Sequence, residues 1–491
     1  MAGGLAIGLL PGVPAVQLPP DVIFVLFVPP LVYASGFNSS LRDLRARAGA
    51  IASLAVGLVL VTAAVIGVIT HALIPALPWA AAFALGAIVA PTDIVATQAI
   101  LDRLGLPRSL RTVLEGEGLL NDATAVVTYR AAVAAVLLGG SWAPEQLVLP
   151  ALLVGAGGIA AGLVVGYLVT ELRKRLDDPL IQITVSLLTP YVVYLVSEAI
   201  GVSGILAAVV AGIFIGRRAS AIMSAQSHVA GVAVWELVLF LLNSAIFMLL
   251  GLEFPAILAS LGLDSLGRLL ALTFAIGAGV IVVRFLWLFP VIYLRQAVPV
   301  LRTADRPDWR RVAILGWAGV RGIDSITTAL ALPLVTASGD PFPGRPLIVF
   351  LAAAVVVVTL VGQGLTLPLV AGFLGIAGDG SEEAEEARAR ELTNDAALRR
   401  IDELQREWPT HRPLIDQLRT QYEHRAEQVD RRGADADAAD QEETEHRAIR
   451  LAVLDAERAA AVDLRNTNVI NDAVLRRLER DIDLEELRMD A

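Results

Sequence analysis

Trp79-Ala-Ala-Ala-Phe-Ala-Leu-Gly-Ala-Ile-Val-Ala-Pro-Thr-Asp-Ile-Val-Ala-Thr-Gln-Ala-Ile-Leu101 is long and apolar enough to cross a bilayer, yet Pro91, Thr92 and Asp93 sit near its middle. Pro91 removes a backbone donor there, so the helix is kinked or unwound. The carbonyls released in this way, with the Thr92 hydroxyl, can coordinate a cation or polarise a cavity. A second apolar stretch holds the matching irregularity, Gly316-Trp-Ala-Gly-Val-Arg-Gly-Ile-Asp324, with glycines on both sides of Arg321. These stretches are the third and tenth apolar spans, seven apart, so they cross in opposite directions. Each precedes another long span. Paired interruptions in oppositely oriented segments point to an all-α polytopic membrane protein built as an inverted repeat, with two crossed, interrupted helices and a midplane site.

Working outward, about 20 apolar residues are needed per crossing, and eleven such spans are present. They cover roughly 20–37, 49–74, 79–101, 112–138, 147–171, 179–198, 202–216, 232–256, 268–294, 312–333 and 346–372. The connecting loops alternate in charge. One side holds 16 basic residues, among them Arg42, Arg103, Arg173, Lys174, Arg217 and Arg310, against Arg268 and Arg345 on the other. This bias places the Arg-rich loops and the C-terminus in the cytoplasm. Of 491 residues, 56% are hydrophobic and 18% charged, too little charge to cover one soluble domain and too much apolar content for a disordered chain. The absence of cysteine excludes disulfides, thiolate metal sites and cysteine nucleophiles.

The net charge of −10 is unevenly spread. Residues 1–370 balance at +2 and residues 371–491 at −12. The expected division is therefore a transmembrane domain over 1–375 and an acidic cytoplasmic helical tail over 376–491. A tail of that charge argues against nucleic acid and against docking on anionic lipid by bulk charge. Within it, Ser381-Glu-Glu-Ala-Glu-Glu-Ala-Arg388 reads as a helix start with acids in its first turn. Leu398, Ile401, Leu404, Leu451, Leu454 and Leu464 give patchy helical spacing, which Arg432–Asp440 breaks. His411, His424 and His446 lie too far apart to read as a metal site and are taken as solvated. At the other end, Met1–Leu10 is half a span without the features of a signal peptide. The expectation is a chain that starts inside a transmembrane helix, its N-terminal helix missing.

Ionisable groups at bilayer depth are costly, so each asks for a reason. The densest group continues from Asp93 into the fourth span, Glu115-Gly-Glu-Gly-Leu-Leu-Asn-Asp122. On a helix Glu117 and Asp122 lie about 140° apart around the axis and roughly 7.5 Å along it, so they face different directions and do different jobs. Asn121 supplies a neutral amide beside Asp122. One carboxylate with neutral oxygens suits a hard monovalent cation such as Na⁺. Arg321 keeps its proton and needs an acidic partner, with Glu117 the first choice and Asp324 the second. A Glu117–Arg321 pair is read as a structural ion pair rather than an ion ligand. Asp93 either caps a half-helix or touches the ion. Glu198, Glu236 and Glu253 are assigned to span ends or interfaces, and Arg130 and Arg284 to carboxylate partners.

With these residues in hand, the chain resembles the bacterial sodium/proton exchangers of the first monovalent cation:proton antiporter family. The resemblance covers residues 3–375 and Val474–Glu486. It rests on Phe27-Val-Pro-Pro-Leu-Val-Tyr33, Pro91-Thr-Asp-Ile-Val-Ala96, Glu115–Asp122, Gly201-Val-Ser-Gly-Ile-Leu206, Gly316–Gly322 and Gln363-Gly-Leu-Thr-Leu-Pro368. It implies an inverted-repeat antiporter fold of thirteen helices, a homodimer in the cytoplasmic membrane, and exchange of Na⁺ for H⁺. By matching position it makes Asp122 the ion-carrying residue, with Asn121 beside it. Thr92 offers its backbone oxygen near the site, and Glu117 pairs with Arg321. Three departures stand out. Gly118 replaces a serine found in many members, Ala34 an acid found in some, and Asp324 is an added acid that makes it a candidate modulator.

The expected mechanism has Asp122 bind either a proton or Na⁺, never both, with one-for-one electroneutral exchange. Li⁺ or K⁺ are alternative cargo. The expected ion-binding set is Asp122, Asn121, Thr92 and Asp93. No cofactor and no nucleic acid partner is expected, membrane lipid is the surrounding partner, and the chain reads as a secondary transporter rather than an enzyme. The rivals are a cation channel and a non-transporting membrane sensor with a cytoplasmic tail.

Overall fold

A segment that crosses a bilayer must satisfy its backbone internally, and the long apolar runs fold into helices accordingly. The structure is a computed structural model describing residues 3, 7, 19–93, 107–137, 145–261, 266–297, 308–376, 381–434, 436–467, 469 and 472–487. Short helical turns aside, the first compact unit, Met1–Asp379, contains twelve helices among its described residues. They are α1 Pro20–Asn38, α2 Ala48–Leu73, α3 Trp79–Val89, α4 Arg108–Leu137, α5 Glu145–Arg173 and α6 Pro179–Ala199. Then follow α7 Gly204–Gly216, α8 Ala225–Leu261, α9 Leu266–Ala297, α10 Trp309–Trp317, α11 Ile323–Leu330 and α12 Arg345–Leu374. Among the described residues there is no strand, only an isolated bridge between Val335 and Pro341. Among the described residues seven helices (α1, α2, α5, α6, α8, α9 and α12) are long and apolar enough to cross a membrane, and α3 and α7 are shorter apolar helices. The start of the chain inside a helix is an expectation that falls largely outside the described residues.

Small residues bring helices together where side chains would hold them apart. A Cβ on Gly36 of α1 would lie 2.5 Å from the Val209 carbonyl oxygen of α7, and Cβ atoms on Gly212 and Gly216 would strike the Tyr33 and Phe37 carbonyls of α1. Gly158 and Gly162 of α5 approach the Ser203 and Ala207 carbonyls at α7 just as closely. On the other side of the molecule, α2 carries a π-helical stretch over Ser53–Leu58. Gly57 within it leaves room for the Trp287 ring of α9, whose Nε1 donates to Ser53 Oγ at 3.3 Å.

Helix ends follow local chemistry. Asp178 caps α6 by accepting from Leu180 N at 2.7 Å and Ile181 N at 3.3 Å. Ser203 caps α7, and Glu198 accepts from Gly204 N at 3.0 Å while pairing with Arg130 at 2.9 Å. The expected carboxylate partner of Arg130 is thus Glu198. The last helix of the unit, α12, stops at Leu374 because Gly375 adopts φ +64° and Ile376 N returns to Ala371 O at 3.3 Å.

The second unit, Gly380–Ala491, is helical among its described residues: α13 Ser381–Glu407, α14 Arg412–Ala434, α15 Ala436–Asn466 and α16 Asp472–Leu487. Ile401, Ile415, Leu454, Leu475 and Ile482 are buried, and Arg458 binds Asp483 at 3.0 Å and Glu486 at 2.7 Å. The described residues of the expected break over Arg432–Asp440 are helical. Helix α14 runs to Ala434 and α15 starts at Ala436, because alanine is the best helix former and a single Gly433 costs only ~1 kcal/mol.

Candidate functional site

Pro91 ends a helix two residues early. Pro91 has no backbone donor to continue the ladder, so α3 stops at Val89, Ala90 keeps helical dihedrals as its C-cap, and the chain leaves the helix over 91–93. Between α10 and α11 a second non-helical segment spans Ala318–Gly322. The two segments cross and hold one another. Asp93 N donates to Val320 O at 2.8 Å, and Asp93 Oδ2 accepts from Ile323 N at 3.0 Å, capping the N-terminus of α11. In return Arg321 Nε donates to Val89 O at 3.0 Å and Nη2 to Ala90 O at 3.4 Å, at the C-terminus of α3. An anion at one helix N-terminus and a cation at another's C-terminus both complement the helix dipoles. Asp93 therefore caps a half-helix, and the helix it caps belongs to the opposite interruption.

The glycines flanking Arg321 are required by space. A Cβ on Gly319 would lie 2.5 Å from the Arg284 side chain, and a Cβ on Gly322 would collide with the Asp93 carboxylate. Both break helix α10–α11 and admit the two charged groups that stabilise the break.

Glu117 does not pair with Arg321. Its carboxylate takes a two-point ion pair from Arg284 of α9, Nη1 to Oε1 and Nη2 to Oε2, the latter at 2.8 Å. Arg284 Nε is fixed by Leu315 O at 2.9 Å, and both side chains are almost wholly buried. Arg321 is instead consumed by backbone carbonyls, those of Val89, Ala90 and Gly319, because the interruption leaves them unpaired beside it. No direct Glu117–Arg321 bond is present among the described residues. Asp324, the second choice of partner for Arg321, lies in the first turn of α11 and has no bond to Arg321 there either.

The ion pair continues as a chain of hydrogen bonds. Thr92 Oγ1 donates to Glu117 Oε1 at 3.0 Å, and Asn121 Nδ2 donates to Thr92 Oγ1 at 2.9 Å and to Thr92 O at 3.1 Å. Glu117, Thr92 and Asn121 are thus one fixed unit. It orients the Asn121 amide so that Oδ1, buried and without a hydrogen-bond partner, points away from it. Asp122 is half-buried on a different face of α4 from Glu117, and its buried Oδ1 also lacks a partner. Asp93, Glu115, Asp122, Asn243 and Asp324 line one cavity of about 320 Å³, together with Ser35 and Asn38 at the end of α1.

The sequence-derived candidates thus fall into two groups. Asp93, Asp122 and Asp324 line the cavity, while Glu117, Thr92 and Asn121 form the hydrogen-bonded unit of the same two chain segments, with Asn121 Oδ1 buried and unpartnered. Carboxylate and amide oxygens without partners can accept a proton or a hard monovalent cation. Sequence reasoning did not identify Asn243, which lines the cavity from α8, or Thr359, whose Oγ1 accepts from Arg321 N at 3.2 Å. Both are polar residues within apolar helices, which is the signal that could have found them.

Residues 1–372 match the family described as sodium/hydrogen exchanger, transmembrane. An uncharacterized Na⁺/H⁺ exchanger of Mycobacterium tuberculosis is 35% identical across 99% of this chain and 90% of its own. A sodium, potassium, lithium and rubidium/H⁺ antiporter of Bacillus pumilus is 34% identical over 75% of this chain and 56% of its own. The fold is similar to that of the sodium proton antiporter MjNhaP1 from Methanocaldococcus jannaschii, with TM-score 0.58 and 18% identity over 76% of this chain and 91% of that one. The extent of the family match and the near full-length relative decide the assignment: this chain belongs to the sodium/hydrogen exchangers, multi-pass membrane antiporters of cations and protons.

Proposed function

We propose that the exchange of Na⁺ for H⁺ runs through competition of the two ions for Asp122. The observation that carries this reading is the contrast among the buried charges. Glu117 is neutralised by Arg284, and Asp93 caps α11, whereas Asp122 lines the cavity with an unpartnered buried oxygen, and Asn121, its neighbour in sequence, keeps Oδ1 unpartnered. A site that binds one monovalent ion at a time exchanges one for one and is electroneutral. The loaded site is neutral and crosses the barrier, and the bare carboxylate does not. Downhill proton entry then drives Na⁺ out. The Arg-rich loops and the tail face the cytoplasm on the charge bias, the membrane is the cytoplasmic one, and the family resemblance supports a homodimer.

Ion choice is set by oxygen ligands, and here Gly118 and Ala34 offer none where other family members place a hydroxyl or an acid. Weak discrimination follows, with Li⁺ and K⁺ accepted beside Na⁺. The test is dequenching of a pH-sensitive dye in proteoliposomes on addition of each cation and, for Na⁺ and Li⁺, with and without a valinomycin clamp at the same K⁺ concentration on both sides in both arms. Equal rates with and without the clamp are expected, and rates that depend on the membrane potential would contradict one-for-one exchange. In the same assay Asp324→Asn removes a negative charge from the cavity. It is expected to raise the apparent KM for Na⁺ about fivefold, a loss on the order of 1 kcal/mol of attraction, with transport retained.

A further inference from the structure

Away from the exchange site, Arg173 presents an uncompensated charge. It is the last residue of α5 and ends the apolar stretch Leu152–Arg173, with Lys174 directly after it. The sequence groups it with the basic loop residues, but it folds inward and is 1% exposed. Its Nε, Nη1 and Nη2 make no hydrogen bond and it has no ion pair among the described residues. By contrast, its neighbour Lys174 binds Glu171 at 2.6 Å. A buried guanidinium without an anion is unfavourable, and a fork of donors aimed into a cavity is the usual geometry for holding a phosphate or carboxylate group.

The cavity exists and measures about 180 Å³. That is about six waters' share of liquid volume, enough for one phosphate group with a little water. Its floor is Arg173, Tyr33 and Ser186. The Tyr33 hydroxyl is buried without a hydrogen-bond partner, and Ser186 Oγ accepts from Trp235 Nε1 at 3.0 Å, leaving its own proton to give. Its rim is a stripe of α8, His228, Val232 and Glu236, all exposed. Phe37, Ile183, Met223, Val232 and Leu239 line the same cavity, and Val232 is 47% exposed. Polar donors at the floor and apolar side chains in the wall describe a site for an amphiphile. The end of an apolar span beside Lys174 is the depth at which lipid phosphates lie.

We propose that Arg173, Tyr33 and Ser186 form a site for a singly charged phosphate group, supplied by the phosphodiester of an acidic phospholipid or by free phosphate. The apolar surround favours the lipid. Glu236 is the one carboxylate on the rim. It opposes an anion and is also the rival partner that could swing onto Arg173, so it enters the test.

The full chain, purified in detergent and stripped of acidic lipid, is melted with phosphatidylglycerol, phosphatidylcholine or inorganic phosphate added, and retained lipid is read by native mass spectrometry. Phosphatidylglycerol is expected to raise the melting temperature by roughly 2–5 °C and to remain bound, with phosphatidylcholine inert. Arg173→Met should lose both effects and melt at or above the stripped wild type, since it removes an unpaired buried charge. Arg173→Lys, which keeps the charge without the fork, should retain a reduced effect, and Glu236→Gln should tighten lipid retention. Protection by inorganic phosphate alone, lost in Arg173→Met, supports the site and identifies the soluble source. The proposal is overturned if phosphatidylglycerol and phosphatidylcholine behave alike while phosphate has no effect. It is equally overturned if Arg173→Met and Glu236→Gln destabilise the stripped protein alike, the signature of an internal ion pair.

Discussion

Asp122→Asn is expected to reduce Na⁺-dependent proton movement in proteoliposomes to the level of protein-free vesicles, while the purified variant melts at the wild-type temperature. Both halves follow from the same geometry. One oxygen of Asp122 is buried without a partner, so no hydrogen bond to that atom is lost when the amide replaces it. The amide cannot take up a proton or neutralise a cation at neutral pH, so both competing loaded states disappear together. A variant that still exchanges would place the ion on Asp324 or Asp93. A variant that unfolds would make Asp122 a structural residue.

The opposite signature is expected at the ion pair. Glu117→Gln leaves Arg284 charged, buried and half-bonded, and Arg284→Met leaves Glu117 in the same condition. Each should cost about 3–5 kcal/mol of stability, because a buried charge without its partner keeps the desolvation penalty and loses the compensation. Replacing both, Glu117→Gln with Arg284→Met, removes the charges together. The double variant should be more stable than the sum of the two losses implies, by more than ~1 kcal/mol of coupling. Denaturant or thermal unfolding in detergent gives the cycle. Additive losses would mean that the two side chains do not act as a pair, and stabilities unchanged by either single replacement would mean that the pair is solvated.

Much of this architecture is legible in the sequence because bilayer crossing leaves few options. Pro91 within one apolar span and the Gly319–Arg321–Gly322 cluster within another mark the two interruptions, and the helices break at those positions. The angular separation of Glu117 and Asp122 on one helix also carries through, since it depends only on helical periodicity. Partner choice is another matter. Arg321 is the nearer candidate for Glu117 by motif, but it is taken by the carbonyls at the end of α3, a demand that exists only once the two interruptions cross. Arg284 stands 167 positions from Glu117, and no local pattern connects them. The glycines beside Arg321 read as helix breakers, whereas their second role, making room for Arg284 and Asp93, belongs to tertiary packing. Arg173 was indistinguishable from its basic loop neighbours until the fold turned it inward.

Competition at Asp122 is tested most directly by Na⁺ binding to the purified protein, measured by calorimetry as a function of pH. Each bound Na⁺ must displace one proton, so below the titration of the site the apparent Kd rises tenfold for each unit of falling pH, and Asp122→Asn shows no pH-linked binding. Na⁺ binding whose affinity is unchanged across that range, or whose pH dependence survives in Asp122→Asn, would contradict it.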